Sequence, residues 1–456
     1  MFYGIIDIGS NAIRAVIYKG KNIDSHEVYN DRFRSDIRSL LKYDNIDIKH
    51  QSYLIIQYFI HIFKQFKVLE VKCVATAVLR GHPKAAQFQE IVKLRYGITI
   101  EILSGEEEAY LTAAGLIIGI SDVGGIAADL GGGSLELVEI DKKVIGKRKS
   151  LVLGTRVLSK REDIGFNDIK EQVKREFGNV EYQNLYLIGG AFRLIGRLYM
   201  EFINYPPISL HNFRVKSSDI LLSLAKLDSI SKINPDLHGR KIDINAIIIL
   251  QVLIEVFHVK TVIVSNYGLK EGVHFANLSP KEKSKDIIYE RCSKLVCFEK
   301  DSCDIEKYIN LILPLLIPKD KFIEKIIEQA VILASCGRNT NMLLRANFMP
   351  EYILTSGIPF SHRQRAMLAL ILSHSFYNLK SESHISKLSK IVLSKRDFHN
   401  SIIIGNIISI AKDIDGPKLG QPSFRLSVID KKFVQLDVDQ ILPKPVFEKV
   451  CKKLKK

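Results

Sequence analysis

An apolar run that closes on aspartate and then glycine occurs twice in this chain, and it restricts the fold more than any other feature. The first copy is Gly4-Ile5-Ile6-Asp7-Ile8-Gly9-Ser10-Asn11. The second is Ala127-Ala128-Asp129-Leu130-Gly131-Gly132-Gly133-Ser134-Leu135-Glu136. Each reads as a strand that delivers an acid to a turn of glycines and small polar residues. A turn stripped of side chains lets successive backbone N–H groups close on an anion. The acid beside it can hold a hard cation through oxygen. Phosphate and magnesium (Mg2+) are the species such turns are built to bind.

The surroundings of both turns alternate in the same way. Strands are expected at residues 2–8 and 13–18, the latter as a hairpin partner, and at 69–76, 98–103, 144–152, 185–190 and 261–266. Helical periodicity covers 51–66, and Pro83 opens a helix to about residue 95. Another helix runs from Ser104-Gly105-Glu106-Glu107-Glu108 to about residue 118. Strands alternating with helices predict an α/β architecture. The first 275 residues thus hold two α/β units, each starting strand-Asp-x-Gly, which is a weak internal duplication. From about Asp304 the pattern turns helical, at 305–317, 322–334, 363–375 and 402–412, with a hairpin pattern at 424–438 and a basic tail at 449–456. Domains are therefore expected at 1–120, 121–303 and 304–456.

A chain of 456 residues is too long for one ordinary core. Its net charge of +16 suits a polyanionic partner. No nucleic-acid motif accompanies that charge, so a phosphate-rich substrate is expected and nucleic acid is not. The six cysteines contain no C-x-x-C pair, and Cys292, Cys297 and Cys303 lack a nearby His pair, so a zinc site is not expected. Scattered thiols and the absence of a signal peptide lead to an expected cytoplasmic location. Apolar stretches at 244–257 and 309–317 are too short or interrupted to span a bilayer, so no membrane association is expected.

Two Asp-x-Gly turns in paired α/β domains resemble the sugar kinase, heat-shock ATPase and actin superfamily, with its actin-like, ribonuclease H-like domains. Further segments resemble the exopolyphosphatase and guanosine pentaphosphatase family. These are Asp7-Ile8-Gly9-Ser10-Asn11 with Arg14, Ala75-Thr76-Ala77-Val78-Leu79-Arg80, Ser104-Gly105-Glu106-Glu107-Glu108-Ala109, the Asp129-to-Glu136 turn, Leu153-Gly154-Thr155-Arg156 and Gly268-Leu269-Lys270-Glu271-Gly272. They come in the family's order at about its spacings. The resemblance implies hydrolysis of the terminal phosphoanhydride of inorganic polyphosphate. Guanosine pentaphosphate as substrate, or a polyphosphate or alarmone sensor without turnover, are the alternatives. A homodimer is expected.

Phosphoanhydride hydrolysis needs a clamp on the terminal phosphoryl, a metal, an oriented water and a base. The expected clamp comprises Gly131, Gly132, Gly133 and Ser134, with Gly9, Ser10 and Asn11 of the first turn. Arg80 adds a forked donor, and the resemblance adds Lys270. Asp7, Asp129 and Glu136 are the expected magnesium ligands. The resemblance makes Glu108 the base. A local argument agrees: Ser104 and Glu107 have the spacing of a capping box, which leaves Glu108 free.

The chain also departs from the family pattern. Ala191 stands where Thr or Ser usually follows Gly189-Gly190, so a phosphate donor is expected to be missing there. Ala12, Leu135 and Asn266 replace Ser, Thr and Asp. The helical remainder resembles HD phosphohydrolase domains. Its segment 330–337 carries Ala334 and Ser335 where metal-binding His and Asp would stand, and a further His is missing around Leu344 to Asn347. His362 and His374 remain without enough partners. An α-helical, degenerate HD-like domain without chemistry is expected.

Overall fold

Two mixed β-sheets built on one plan carry the amino-terminal part of the molecule. The computed structural model describes all residues except 43–48, 162, 207, 234–240, 297–303, 318, 337–341, 377–382, 415–422, 430–432, 439–441 and 455–456. Cys297 and Cys303, Gly337 of the helical segment and the end of the basic tail lie outside the described residues.

The first sheet holds β1 (Phe2–Ile8), β2 (Ala12–Lys19), β3 (His26–Arg34), β4 (Glu70–Ala75) and β5 (Ile100–Ile102), in the order β3-β2-β1-β4-β5. The second holds β6 (Gly125–Leu130), β7 (Leu135–Asp141), β8 (Val144–Leu151), β9 (Asn184–Ile188), β10 (Phe213–Lys216) and β11 (Thr261–Val264), in the order β10-β11-β9-β6-β7-β8. Each sheet opens with an antiparallel meander, β1-β2-β3 or β6-β7-β8. A parallel strand then joins the far side of its first member, β4 beside β1 and β9 beside β6. The duplication seen in the sequence is thus a repeat of topology. The edge strands β3 and β10 escape the sequence reading. β3 is rich in charge and largely exposed, and β10 has only four residues.

The apolar runs of β1 and β6 are continuous because both faces of each strand are covered. Ile6 and Ile8 pack with Phe59 and Phe63, while Tyr3 and Ile5 face Leu103 and Val273. On β6, Ala128 and Leu130 enter the main core of the second sheet, and Ala127 meets Ala109 and Leu116. Ala109 and Leu116 belong to helix Gly105–Gly119, which crosses helix Leu269–Ala276 backbone to backbone. A Cβ on Gly115 would lie 2.0 Å from the Gly268 carbonyl oxygen, and one on Gly272 would lie 1.7 Å from that of Leu111. Only glycine permits this approach.

Residues 1–205 and 210–285 form one compact unit, and 206–209 with 286–456 form another. The second is helical: Ile287–Leu295, Ile305–Ile312, Lys321–Ala334, Met342–Thr355, His362–Phe376, His384–Val392, Lys395–Ile414 and Lys444–Leu454, with an antiparallel pair β12 (Phe424–Ile429) and β13 (Phe433–Val438). Helix His362–Phe376 is its buried centre. Within it, Arg365 donates to the carbonyls of Ile353 (2.7 Å) and Ile358 (2.6 Å). Ala334 and Ser335 are buried, and the Ser335 hydroxyl turns back to the Val331 carbonyl. Among the described residues no helix is long and apolar enough to cross a membrane.

Candidate active site

The second glycine turn is held open by its own hairpin. The Gly131 N–H donates to the Ser134 carbonyl (3.0 Å), while the Gly131 and Gly132 carbonyls accept from Thr155 and Arg156 N–H, both at 3.1 Å. Among the described residues no acceptor engages the N–H of Gly132 or Gly133. The segment at Gly154 lies against the turn so closely that a Cβ there would sit 2.4 Å from Gly132 and Gly133 backbone atoms. Asn11 and Ser10 of the first turn face it. A Cβ on Gly132 would meet Asn11 Oδ1 at 2.5 Å, and one on Gly133 would meet Ser10 Oγ at 2.9 Å. The Ser10 carbonyl accepts from Arg156 Nη1 (2.9 Å). The two turns therefore face each other, with Gly9 closing the first by an N–H bond to the Ala12 carbonyl (3.0 Å).

A cavity of about 670 Å3 opens at Gly133 and Ser134, lined also by Arg38, Ala77, Arg80, Gly105, Lys149 and Ser150. Arg80 is fixed on three sides. Its Nε donates to the Leu103 carbonyl (2.9 Å), Nη1 to Ser150 Oγ (3.3 Å), and Nη2 to the Glu108 carboxylate in an ion pair. Glu108 lies in the first turn of helix Gly105–Gly119. Ser104 Oγ accepts from the Glu107 N–H (3.1 Å), and the Glu107 carboxylate accepts from the Ser104 N–H (2.8 Å). This capping box consumes Glu107 and turns Glu108 inward.

The acids form a charged series. Burial pushes the Glu108 carboxyl well above its ordinary range, and the Glu136 and Asp129 charges push it further, against the pull of Arg80. Glu136, opposite Asp129 in the β6–β7 register, is raised to about 7 by burial and by Asp129. The Ser150 hydroxyl donates to Glu136 at 2.7 Å. Asp129 is raised to about 6 by burial, with Arg193 and the Thr112 hydroxyl (3.3 Å) opposing. Burial also raises Asp7, against the pull of Arg14 and Arg32. Gly189 sits over this acid edge with φ +94°, where a Cβ would lie 2.9 Å from Asp129 Oδ1. Its helix Gly190–Phe202 starts without a side-chain cap, because the N-cap residue is Gly189 itself.

Among the described residues no three acidic, His or Cys groups converge as a direct cage for a metal ion. Magnesium rarely needs one, since it keeps several waters and takes one or two carboxylates together with substrate phosphate. The mutually repelling Asp129 and Glu136 suit a cation, and buried Asn11 Oδ1 has no donor among the described residues, as a cation-bound water would provide. The residues fit a hydrated ion.

The structure thus gathers Ser10, Asn11, Arg80, Glu108, Asp129, Gly131 to Ser134 and Glu136 at the two facing turns. Lys270 is placed differently. It is ion-paired to both Glu27 and Glu271 and does not line the cavity. Arg38, Lys149, Ser150, Thr112 and Arg193 belong to the site although none stood out in the sequence. Ser150 and Lys149 follow the basic run Lys147-Arg148 on β8, which is the one signal that points to them. Arg38 follows the unrecognised β3.

The sequence profile of the Ppx/GppA phosphatase family matches residues 27–281. Among solved structures, the chain is similar to an exopolyphosphatase from Cytophaga hutchinsonii at 18% identity and a TM-score of 0.53, over 60% of this chain and 97% of that one. It is also similar to a Ppx/GppA enzyme from Aquifex aeolicus, at 22% identity and a TM-score of 0.52, over 60% and 98% of the two chains. These likenesses establish a shared two-sheet, actin-like α/β fold.

Proposed function

Since the chain belongs to the Ppx/GppA phosphatase family, we propose that it is an exopolyphosphatase, a phosphoanhydride hydrolase that removes one orthophosphate at a time from the end of inorganic polyphosphate. One observation carries the reading: Gly133, whose N–H has no acceptor among the described residues, borders the same cavity that Arg80 lines, and Arg80 is paired to the buried Glu108. A terminal phosphoryl in the turn would receive the backbone N–H groups and the remaining donors of Arg80. The Glu108 carboxylate would take a proton from water as the water oxygen bonds to the terminal phosphorus. The bridging P–O bond breaks, and the shortened chain leaves with the bridging oxygen. Burial and the Glu136 charge raise the Glu108 pKa, which makes its carboxylate a stronger base.

Asp129 and Glu136, with Asp7 across the facing turns, would hold magnesium through water. The ion supplies charge neutralisation to the phosphoryl oxygens. Ser134 and Ser150 keep Glu136 oriented. The net charge of +16 supports a long polyanion over a single nucleotide.

The test offers the protein, with magnesium, long-chain polyphosphate, tripolyphosphate and guanosine pentaphosphate in parallel. Orthophosphate release is expected to be fastest from polyphosphate and to fall at least about 10²-fold in Glu108→Gln. Preferential release from guanosine pentaphosphate would replace this substrate. Near-normal turnover by Glu108→Gln would remove Glu108 as the base.

A further inference from the structure

Two arginines line the cavity, and they are held in opposite ways. Arg80 has committed donors on Nε, Nη1 and Nη2 to Leu103, Ser150 and Glu108. Arg38 has no hydrogen-bond or ion-pair partner among the described residues. Its Nη2 lies 3.2 Å from the position a Cβ would take on Gly133, at the side of the turn. It arrives from helix Ile37–Lys42, just past β3, whereas the turn belongs to the second sheet. A half-buried guanidinium without a counter-charge is costly, and its planar fork matches phosphate oxygens.

The cavity also exceeds what one phosphoryl fills. At about 670 Å3 it has room for roughly twenty water-sized groups. Lys149 lines it together with Arg38, and the Lys149 ammonium is only loosely engaged, 4.0 Å from Glu106. A terminal phosphoryl at the Arg80 end, beside Glu108, would leave the next negative charge of a chain for Arg38, with Lys149 also on the cavity lining.

Resting on the polyphosphate reading above, we propose that Arg38 binds the second phosphoryl group of the substrate, with Lys149 as its weaker companion, and thereby selects phosphoanhydride chains over a lone phosphate. Arg38 is a binding residue and takes no part in the proton transfer. It acts on chain affinity and leaves the capacity to break the terminal bond in place.

The experiment separates binding from turnover. Calorimetric affinities for tripolyphosphate and for orthophosphate are measured with magnesium on Glu108→Gln and on Glu108→Gln combined with Arg38→Ala. The second change is expected to weaken tripolyphosphate about ten- to a hundredfold and orthophosphate less than twofold. In the active protein, Arg38→Ala raises KM for tripolyphosphate by a similar factor with kcat within about threefold, and Arg38→Lys recovers part of the loss. Melting temperatures of the variants confirm folding. Unchanged tripolyphosphate affinity, or equal loss for both anions, overturns the role of Arg38. If turnover is normal and Arg38→Ala leaves KM unaltered, the hydrolase reading stands and this one falls. Arg38-dependent tripolyphosphate binding by a protein that never releases orthophosphate does the reverse.

Discussion

Replacing Arg80 by alanine is the perturbation whose outcome the structure constrains most tightly. Four influences act on the Glu108 carboxyl. Burial, the Glu136 charge and the Asp129 charge push its pKa up, and Arg80 alone pulls it down. An opposite charge in contact lowers a carboxyl by about 1–3 units. The Arg80 and Glu108 side chains are 28% and 11% exposed, so solvent screening puts the effect toward the low end of that range. With Glu108 as the proposed base, activity would need its carboxylate and rise with pH through the Glu108 pKa. Arg80→Ala is expected to move that acidic limb upward, since the one influence that lowers the Glu108 pKa is removed. The plateau above it should fall about 10²- to 10³-fold, the usual loss when one preorganised donor to a developing charge is removed. The assay is kcat/KM for tripolyphosphate from pH 5 to 10 at saturating magnesium. Arg80→Lys separates the two effects, since it keeps the charge and loses the fork: its limb stays near the wild-type position while its plateau drops. A limb that stays put or moves down in Arg80→Ala would refute Glu108 as the base whose ionisation Arg80 controls.

Two further outcomes follow from the geometry around the turn. Gly154→Ala places a methyl 2.4 Å from backbone atoms of Gly132 and Gly133, which cannot rotate away. About 1–3 kcal/mol of stability should be lost, with a larger proportional loss of kcat/KM as the N–H groups shift; wild-type melting and turnover together would contradict the close approach. Glu136, raised from 4.5 to about 7 by burial and Asp129, should make the metal-free protein less stable as pH rises. The sign is set by the raised pKa: the stability it lends is fully present below about pH 4.5 and is lost as pH passes 7. The full amplitude is on the order of 3 kcal/mol. Glu136→Gln should flatten melting temperature against pH between 4.5 and 8 without divalent metal, and superimposable curves for both proteins would dismiss the effect.

Much of the architecture was legible because the strands that carry the site are buried on both faces. β1 and β6 show as apolar runs ending in Asp-x-Gly, and the helix at Ser104 announces itself through its capping box. What was not legible depends on pairing across the chain. β3 is an edge strand, so its alternation of charges carries little periodic signal, and with it Arg38 passed unnoticed. The family resemblance makes Lys270 an expected anion contact, while the structure pairs it with Glu27 from β3 and Glu271 one residue on. The Gly268-to-Gly272 segment has a separate packing role in the crossing with helix Gly105–Gly119, which no local pattern discloses.

The duplicated turns finally explain why the chemistry is asymmetric. Each hairpin pairs its aspartate with the residue seven positions on: Asp7 with Arg14 in the first sheet, Asp129 with Glu136 in the second. The backbone register is the same, and the electrostatic consequence is opposite. Arg14 and Arg32 draw Asp7 toward its ionised form, so the first turn carries its own counter-charge. Asp129 and Glu136 repel each other across one register pair, and Arg193 offsets Asp129 only in part. Surplus negative charge therefore accumulates at the second turn, beside the unengaged N–H groups and within electrostatic reach of Glu108. A cation bound there would relieve that surplus, whereas the first turn, with Arg14 opposite Asp7, has no such surplus to relieve.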